Sequence, residues 1–230
     1  MNLLAPDDVQ AILLSLKVAA TATVCGLPVA LAVAFALAGG RFPGRALLDA
    51  ATHLPLVLPP VATGYALLVL FGHRGIIGAA LEQVGIVFAF RWTGAALAAA
   101  IMAFPLMVRP IRLSIEAIDR EVDEVARTLG AGPLVRFFTV TVPLAAPGLA
   151  AGAVLGFAKA LGEFGATITF VAAIPGETLT LPTAIYQATQ VPGAEGRALV
   201  LCAVAATIAI SAVLLSDVVA RTIARRRELA

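Results

Sequence analysis

Five stretches of this chain carry no charged side chain over about the length that a helix needs to cross a lipid bilayer. They span residues 18–40, 50–72 (with His53 as the one titratable side chain other than Tyr65), 92–108, 137–158 and 198–216. A spanning helix takes roughly 17 to 25 residues, and backbone in hydrocarbon must satisfy its own hydrogen bonds. The stretches are rich in Ala, Leu and Val and lack the ten-residue alternation of barrel strands. The sequence therefore predicts an all-α integral membrane protein with about five transmembrane helices.

Composition supports the same class. Hydrophobic residues make up 60% of the chain, charged residues 13%, and the mean hydropathy is +0.99, which excludes an ordinary soluble domain. We expect the first helix, about 11–38, to be a retained anchor, because Asp7 and Asp8 occupy the place of a signal peptide's basic residues. Cys25 and Cys202 lie within apolar runs and predict no disulfide.

The distribution of basic residues predicts the orientation. Eleven fall on one side of the five-helix arrangement: Arg41, Arg45, Arg109, Arg112, Arg120, Arg127, Arg136, Arg221, Arg225, Arg226 and Arg227. Three fall on the other side: Arg74, Arg91 and Arg197. The positive-inside rule then places the amino terminus outside, and the carboxyl terminus and the central loop in the cytoplasm. The net charge of +2 is a topology signal and indicates no nucleic-acid partner.

The central charged loop has a helical pattern of its own. Its apolar residues fall at spacings of 4, 3 and 4, at Ile118, Val122, Val125 and Leu129, with charged residues at most positions between them. This pattern predicts a short amphipathic helix over 118–129. Gly130 and the pair Gly132-Pro133 should end it, and a second short helix can follow from Leu134. On amphipathicity alone, an ordinary solvated loop helix remains an alternative.

The spacing of three further features in this loop resembles a known family. Glu124 precedes Ala126 by two residues, Gly130 follows Glu124 by six, and Pro143 follows Gly130 by thirteen. This is similar to the EAA loop of the membrane subunits of binding-protein-dependent ABC importers, in which the loop is a cytoplasmic coupling helix that docks into the ATPase subunit. The resemblance implies that the loop, about 116–143, couples the two subunits, with Glu124, Ala126, Arg127, Gly130 and Pro143 as coupling residues. Val125, Val140 and Val142 stand where Ala, Ile and Leu are usual.

Two more stretches resemble the permeases of molybdate and tungstate importers. They are LPLVLPPVATGY at 54–65 and KALGEFGATITFVAAIPGETLTLPTAIY at 159–186, the second with Lys159 where Arg is more usual. The prolines should break the second helix, about 54–70, and broken backbone at membrane depth is tolerated only inside protein or beside a cavity. Candidate residues of the translocation path are Pro59, Pro60, Thr63, Lys159, Glu163 and Thr167, with Tyr65 and Thr169 as further hydroxyl donors. Lys159 and Glu163 form either a mutually neutralising pair or a path-lining pair, and both interpretations stay open.

Taken together, the resemblance implies a type I ABC importer permease fold and a single permease domain over 1–230. The implied partners are a second copy of the chain, two ABC ATPase subunits, a periplasmic oxyanion-binding protein and the bilayer of a bacterial cytoplasmic membrane. The chain itself should bind no cofactor or metal, ATP and Mg being used by the ATPase; it has no P-loop lysine, since Lys17 follows Leu16 and Lys159 follows Ala158. A sulfate or other oxyanion permease is the main alternative. A secondary transporter working alone is a weaker one, because no internal repeat is visible.

Two features stay undecided at the sequence level. Gly148, Gly152 and Gly156 recur every four residues and favour a close helix contact, either with a second copy or within the chain. The segment 179–190 is either an interfacial or a re-entrant helix.

Overall fold

The computed structural model describes residues 5–40 and 42–228. Arg41, one of the basic residues counted above, lies outside the described residues, and so do the side chains of Arg120, Val213 and residues 215–228. All regular elements in the described part are helices. They are α1 (Pro6–Gly39), α2 (Arg45–Val57), α3 (Pro60–Phe71), α4 (Ile76–Glu82), α5 (Trp92–Glu116), α6 (Arg120–Thr128), α7 (Pro133–Arg136), a π-helical turn (Phe137–Thr141), α8 (Val142–Leu144), α9 (Ala146–Leu161), α10 (Gly165–Val171), α11 (Leu181–Thr189) and α12 (Glu195–Glu228).

Three of these helices are long and apolar enough to cross a membrane: Pro6–Gly39, Trp92–Glu116 and Glu195–Ala212. Two bent pairs pass the same test as units, which raises the number to five if each pair is one span. One is α2 with α3, bent by 115°, and the other is Pro133–Leu144 with α9, bent by 68°. The five predicted spans correspond to these five units, and the all-α class is confirmed.

The second predicted helix is broken more sharply than expected. Its two halves separate at Leu58 and Pro59, where the backbone is extended, and the first half begins well before the predicted Leu54. Pro59 and Pro60 explain the break, because a proline has no N–H to donate and disfavours helical backbone in the residue before it.

The third helix is longer than the sequence predicted. The expected end lay near Val108, bracketed by Pro105 and Pro110, yet α5 continues through both prolines to Glu116. Prolines are tolerated in spanning helices where neighbouring helices support the freed backbone. α5 has that support, since it packs against α1 on one side and α9 on another.

Small side chains bring α1, α5 and α9 together in the core. A Cβ added at Gly148, Gly152 or Gly156 would lie 2.4 to 2.8 Å from atoms of α5, among them the Met107 carbonyl oxygen at 2.8 Å. The contact left undecided by the sequence is therefore made within the chain, by α9 against α5. One face of α5 is closely packed, with Ala95, Ala98, Ala99 and Ala103 fully buried.

A buried ion pair joins the first and last helices. The Asp8 carboxylate is fully buried and accepts hydrogen bonds from Arg197 Nε at 2.9 and 3.1 Å and from Arg197 Nη2 at 2.5 Å. Near it, Ser15 Oγ accepts from the Leu181 N–H at 2.6 Å, which fixes the start of α11 against α1. The segment predicted as 179–190 is thus a helix, Leu181–Thr189, packed between α1 and α12.

Candidate coupling and translocation sites

The predicted amphipathic helix exists as α6, and its two ends are fixed by local sequence. Asp119 caps the start, with its Oδ1 accepting from the Glu121 N–H at 3.0 Å. At the other end, the Ala131 N–H donates to the Ala126 carbonyl at 3.1 Å and the Gly130 N–H to the Arg127 carbonyl at 3.0 Å. This is a Schellman motif, which needs a left-handed residue after the helix. Gly130 supplies it, with φ of +83°, as the sequence predicted.

The apolar face of α6 is not covered by the part of the chain that the structure describes. Val122 is 43% exposed, Val125 57% and Leu129 82%, and Leu134 at the start of α7 is 74% exposed. We call these four residues the coupling surface. A helix on a monomeric soluble loop would turn such a face inward. An exposed apolar patch rimmed by charged residues is typical of a protein–protein contact.

An ion pair fixes α6 to the segment that follows it. Arg136 at the end of α7 donates to the Asp123 carboxylate of α6. The next residue, Phe137, packs edge-to-face against Phe35 of α1, with ring centroids 4.9 Å apart. Between α6 and these rings lies an open cleft of about 730 Å³, into which Glu116 and Asp119 also project. A displacement of α6 would therefore reach α1 through two contacts, Asp123–Arg136 and Phe137–Phe35.

The predicted coupling residues do not all lie on one surface. Glu124 and Arg127 are exposed on α6, Ala126 is half-buried, and Gly130 is exposed at the helix end. Pro143 lies in α8, beyond the π-helical turn, so it belongs to the entry into the fourth span. The assignment of these residues to coupling stays a prediction.

The candidate path residues come from two distant stretches that the fold brings together where α3 crosses α10. A Cβ placed on Gly64 would lie 2.5 Å from the Ala166 carbonyl oxygen, and one on Gly165 would lie 2.7 Å from Pro60 Cβ. α3 begins after the break in the second span, with Pro59 as its N-cap residue, and α10 begins shortly after the end of α9, with Phe164 as its N-cap residue. The crossing thus brings residues 59–63 and residues 159–167 together.

Lys159 and Glu163 form an ion pair at the junction between α9 and α10. Lys159 Nζ lies 2.5 Å from Glu163 Oε2, while Glu163 Oε1 accepts from the Ala166 N–H at 3.0 Å. The sequence placed both on one helical face, but α9 ends at Leu161 and Glu163 lies beyond it. The pairing itself is observed; whether the pair also lines the path stays a prediction.

The predicted hydroxyl donors have different environments. Thr63 and Thr167 are buried, and Thr63 Oγ1 is one of two buried side-chain polar atoms without a hydrogen-bond partner in the described part of the chain. Thr169 donates to the Gly165 carbonyl at 2.9 Å, which is a packing role within α10. Tyr65 is 62% exposed on the outer face of α3.

Four polar contacts were not predicted from the sequence. Besides Asp8–Arg197 and Asp123–Arg136, Arg112 of α5 donates to Asp49 of α2 at 3.0 Å and to Glu116 at 2.8 Å. The Arg112–Glu116 spacing of four residues was a readable helical signal. The other partners are far apart in sequence, so periodicity could not pair them.

Comparison with known proteins assigns the chain to a family. Residues 26–228 match the family model of the binding-protein-dependent transport system inner membrane component. The chain therefore belongs to this family of transporter membrane subunits, and the predicted resemblance is confirmed. The same finding confirms a transport subunit that is not an enzyme.

The individual relatives indicate which transporter subunits within this family the chain resembles. The molybdenum transport system permease protein ModB of Escherichia coli K12 is 53% identical over 226 residues, which cover 98% of each chain. Its namesake in Haemophilus influenzae is 51% identical over 91% of this chain and 92% of that protein. The sulfate transport system permease protein CysW of Synechococcus elongatus is 39% identical over 69% of this chain and 55% of that protein.

Among solved structures, a bacterial ABC transporter involved in alginate import aligns with a TM-score of 0.76. The alignment covers 96% of this chain and 81% of that chain at 18% identity. At this identity the likeness establishes the fold, which is that of type I ABC importer permeases.

Proposed function

We propose that this chain is the membrane-spanning permease subunit of an ATP-driven importer that moves molybdate or tungstate across the bacterial cytoplasmic membrane. The observation that carries the proposal is the coupling surface, because an exposed apolar face rimmed by charged residues is suited to contact with an ATPase subunit. The names of the relatives that match nearly the whole chain support molybdate as the substrate.

The proposed assembly contains two copies of this chain, two ABC ATPase subunits and a periplasmic oxyanion-binding protein. ATP and Mg²⁺ are bound and used by the ATPase subunits, and this chain holds no cofactor. In the membrane, the end that carries α6 faces the cytoplasm, in agreement with the positive-inside count. The opposite end, which carries the Asp8–Arg197 ion pair, receives the binding protein.

The mechanism is alternating access. ATP-driven closure of the ATPase dimer draws the two α6 helices together. The motion passes from α6 through Asp123–Arg136 and Phe137–Phe35 into the spans, and hydrolysis resets it. Glu124 and Arg127 orient the docked α6 by charge, while the small Ala126 and Gly130 allow close approach. The crossing of α3 and α10, with Pro59, Pro60, Thr63 and Thr167, lies beside the path.

A sulfate importer is the second candidate, because a sulfate permease protein is among the relatives. Sulfate and molybdate are both tetrahedral dianions, so a weakly selective passage suits either. Competition between the two ions separates these functions.

The test is uptake of radiolabelled molybdate into vesicles that contain this chain, its ATPase and its binding protein. We expect ATP-dependent uptake that excess sulfate does not suppress, and loss of uptake when any one component is omitted. Full competition by sulfate would move the substrate assignment to sulfate. Uptake without ATPase or binding protein would contradict the importer assignment and favour a carrier that works alone.

A further inference from the structure

Residues of two sequence motifs contact the short helix α10 at its two ends. The helix begins within LGEFGA, residues 161–166, and the chain after it leads into IPGET, residues 174–178. The half-helix has only seven residues, Gly165–Val171, so helix propensity alone cannot stabilise it. Its position must come from its contacts.

At the entry, Glu163 makes contacts on both sides of the break. It is 3% exposed, and one carboxylate oxygen accepts from the Ala166 N–H in the first turn of α10. The other oxygen pairs with Lys159 in the last turn of α9. A buried carboxylate at membrane depth is costly unless it is paired. Here the pairing partner lies in α9 and the capped N–H lies in α10, so Glu163 connects the two helices across residues 162–164.

At the exit, the backbone adopts a conformation that residues with a side chain rarely take. Ala172 has φ of +59° and ψ of −167°, a region populated almost only by glycine. Thr178 holds this exit in place. Its fully buried hydroxyl accepts from the Ile174 N–H at 2.9 Å and lies 3.2 Å from the carbonyl oxygens of Val171 and Ala172.

On its side, α10 interlocks with α3. The backbone of α10 passes so close to Gly64 that no methyl group fits between them, and Pro60 lies equally close to Gly165. The two half-helices therefore cannot slide past each other without separating. α3 is joined to α2, and α10 to α9, by a short non-helical segment.

We infer that α3 and α10 move as one rigid body during transport, and that Lys159 and Glu163 are positioning residues that set the angle of this body relative to α9. The inference rests on the proposed function and adds to it a moving part and the contact that controls it. Neither residue needs to touch the transported ion for this role.

The first experiment separates positioning from simple charge compensation. Glu163→Gln keeps an acceptor for the Ala166 N–H but removes the ion pair. The double variant Lys159→Met/Glu163→Gln leaves no unpaired charge, and Lys159→Arg keeps the pair. The matched control is Glu177→Gln, since Glu177 has no side-chain partner among the described residues. Uptake per ATP hydrolysed, ATPase activity without binding protein, and thermal unfolding of the assembled complex are measured for each.

We expect Glu163→Gln and the double variant to lower uptake per ATP by about two- to thirtyfold while the complex still assembles. Lys159→Arg and Glu177→Gln should match the unsubstituted protein. If the double variant recovers normal uptake per ATP, the pair serves only charge compensation and the inference is overturned. If all uptake and ATPase activity fall in parallel with thermal stability, the role is structural and the inference is equally overturned.

The crossing provides a test that does not depend on the ion pair. Gly64→Ala forces the backbones of α3 and α10 apart, so a rigid body predicts lower uptake per ATP hydrolysed, whereas Gly196→Ala, with open space around its Cβ position, should leave uptake per ATP unchanged. Unchanged uptake per ATP for Gly64→Ala in an assembled complex would overturn the inference.

The outcome is distinguishable from a failure of the proposed function. If the unsubstituted protein with its ATPase and binding protein takes up no oxyanion, the proposed function fails. If it does so and the variants behave as the unsubstituted protein, the inference alone fails.

Discussion

Gly130 lies just after the end of α6, in the residue position that stops the helix. Two properties of glycine matter there, its backbone conformation and its small size. Its φ of +83° favours a residue without Cβ, and the space around it is open, with no other atom within 4 Å of the position that a Cβ would take. The open space is available to a docked ATPase. The backbone conformation of Gly130 and its small size can therefore contribute separately, the first to ending α6 and the second to docking of the ATPase.

We predict that Gly130→Leu uncouples ATP hydrolysis from uptake while insertion into the membrane stays intact. Gly130→Asn separates the two properties, because Asn tolerates the left-handed conformation yet adds bulk. We expect Asn also to uncouple, since the docking surface is filled. Gly132→Ala is the matched control, because Gly132 has an ordinary φ of −67° and open space around it. Normal uptake with Asn would restrict the role of Gly130 to ending the helix.

The Asp8–Arg197 ion pair predicts a stability effect at the other end of the molecule. Asp8→Asn removes the charge that Arg197 contacts and should lower the free energy of unfolding by about 1–3 kcal/mol, seen as a lower thermal midpoint in detergent. The loss should be smaller than for a fully buried pair, because the Arg197 side chain is 41% exposed and keeps access to solvent.

Asp7→Asn is the control for that prediction, since Asp7 is the exposed neighbour of Asp8. A double-mutant cycle with Arg197→Gln should show that most of the loss depends on the pair. An equal loss for Asp7→Asn, or strict additivity in the cycle, would contradict the assigned contact.

The crossing of α3 and α10 is a helix contact that leaves no room for an added methyl group. Gly64→Ala would place a Cβ 2.5 Å from the Ala166 carbonyl oxygen, and backbone on both sides leaves little room to relax. We expect a loss of about 1–3 kcal/mol or more in unfolding free energy, together with lower uptake.

Gly196→Ala is the control for the crossing. Gly196 lies in the first turn of α12 with no atom near its Cβ position, so the substitution should be neutral or slightly stabilising. Thermal unfolding of both variants in detergent measures the difference. Equal midpoints would show that α3 and α10 are not in contact.

How far the sequence predicts the elements depends on whether the signal is local. The amphipathic spacing before Gly130 and the long charge-free runs are local, and the corresponding helices occur close to their predicted positions. α4 and α10 have seven residues each, too few for a period to be recognised. Pro105 and Pro110 misled the prediction of the third helix, because the support that allows them comes from α1 and α9 and is invisible along the chain.

The sites follow the same division between local and tertiary signals. The four-residue spacing of Lys159 and Glu163 indicated that the two side chains can pair, yet not that Glu163 lies beyond the end of α9 and accepts from the first turn of α10. Pro60 and Gly165 are in contact only because α3 crosses α10 in the folded chain. Residues 59–63 and 159–167 are two separate predictions of path residues, and their proximity is a property of the tertiary fold.

The whole molecule has an amphipathic helix with an exposed apolar face at one end, two broken spans, and the Asp8–Arg197 ion pair towards the other end. The fold and family are those of a transporter membrane subunit. The coupling surface is the part of this arrangement that requires a second protein. We therefore expect this surface to contact the ATPase.

The most direct test attaches a photoreactive benzophenone to Leu129→Cys, with Cys25 and Cys202 replaced by Ala, in membranes that contain the ATPase. Val191→Cys is the control, because it is also exposed but lies between α11 and α12, near the Asp8–Arg197 end. We predict a covalent adduct of this chain with the ATPase after illumination from position 129 and none from position 191. An adduct from position 191, or none from position 129 in a complex that takes up molybdate, would contradict docking through α6.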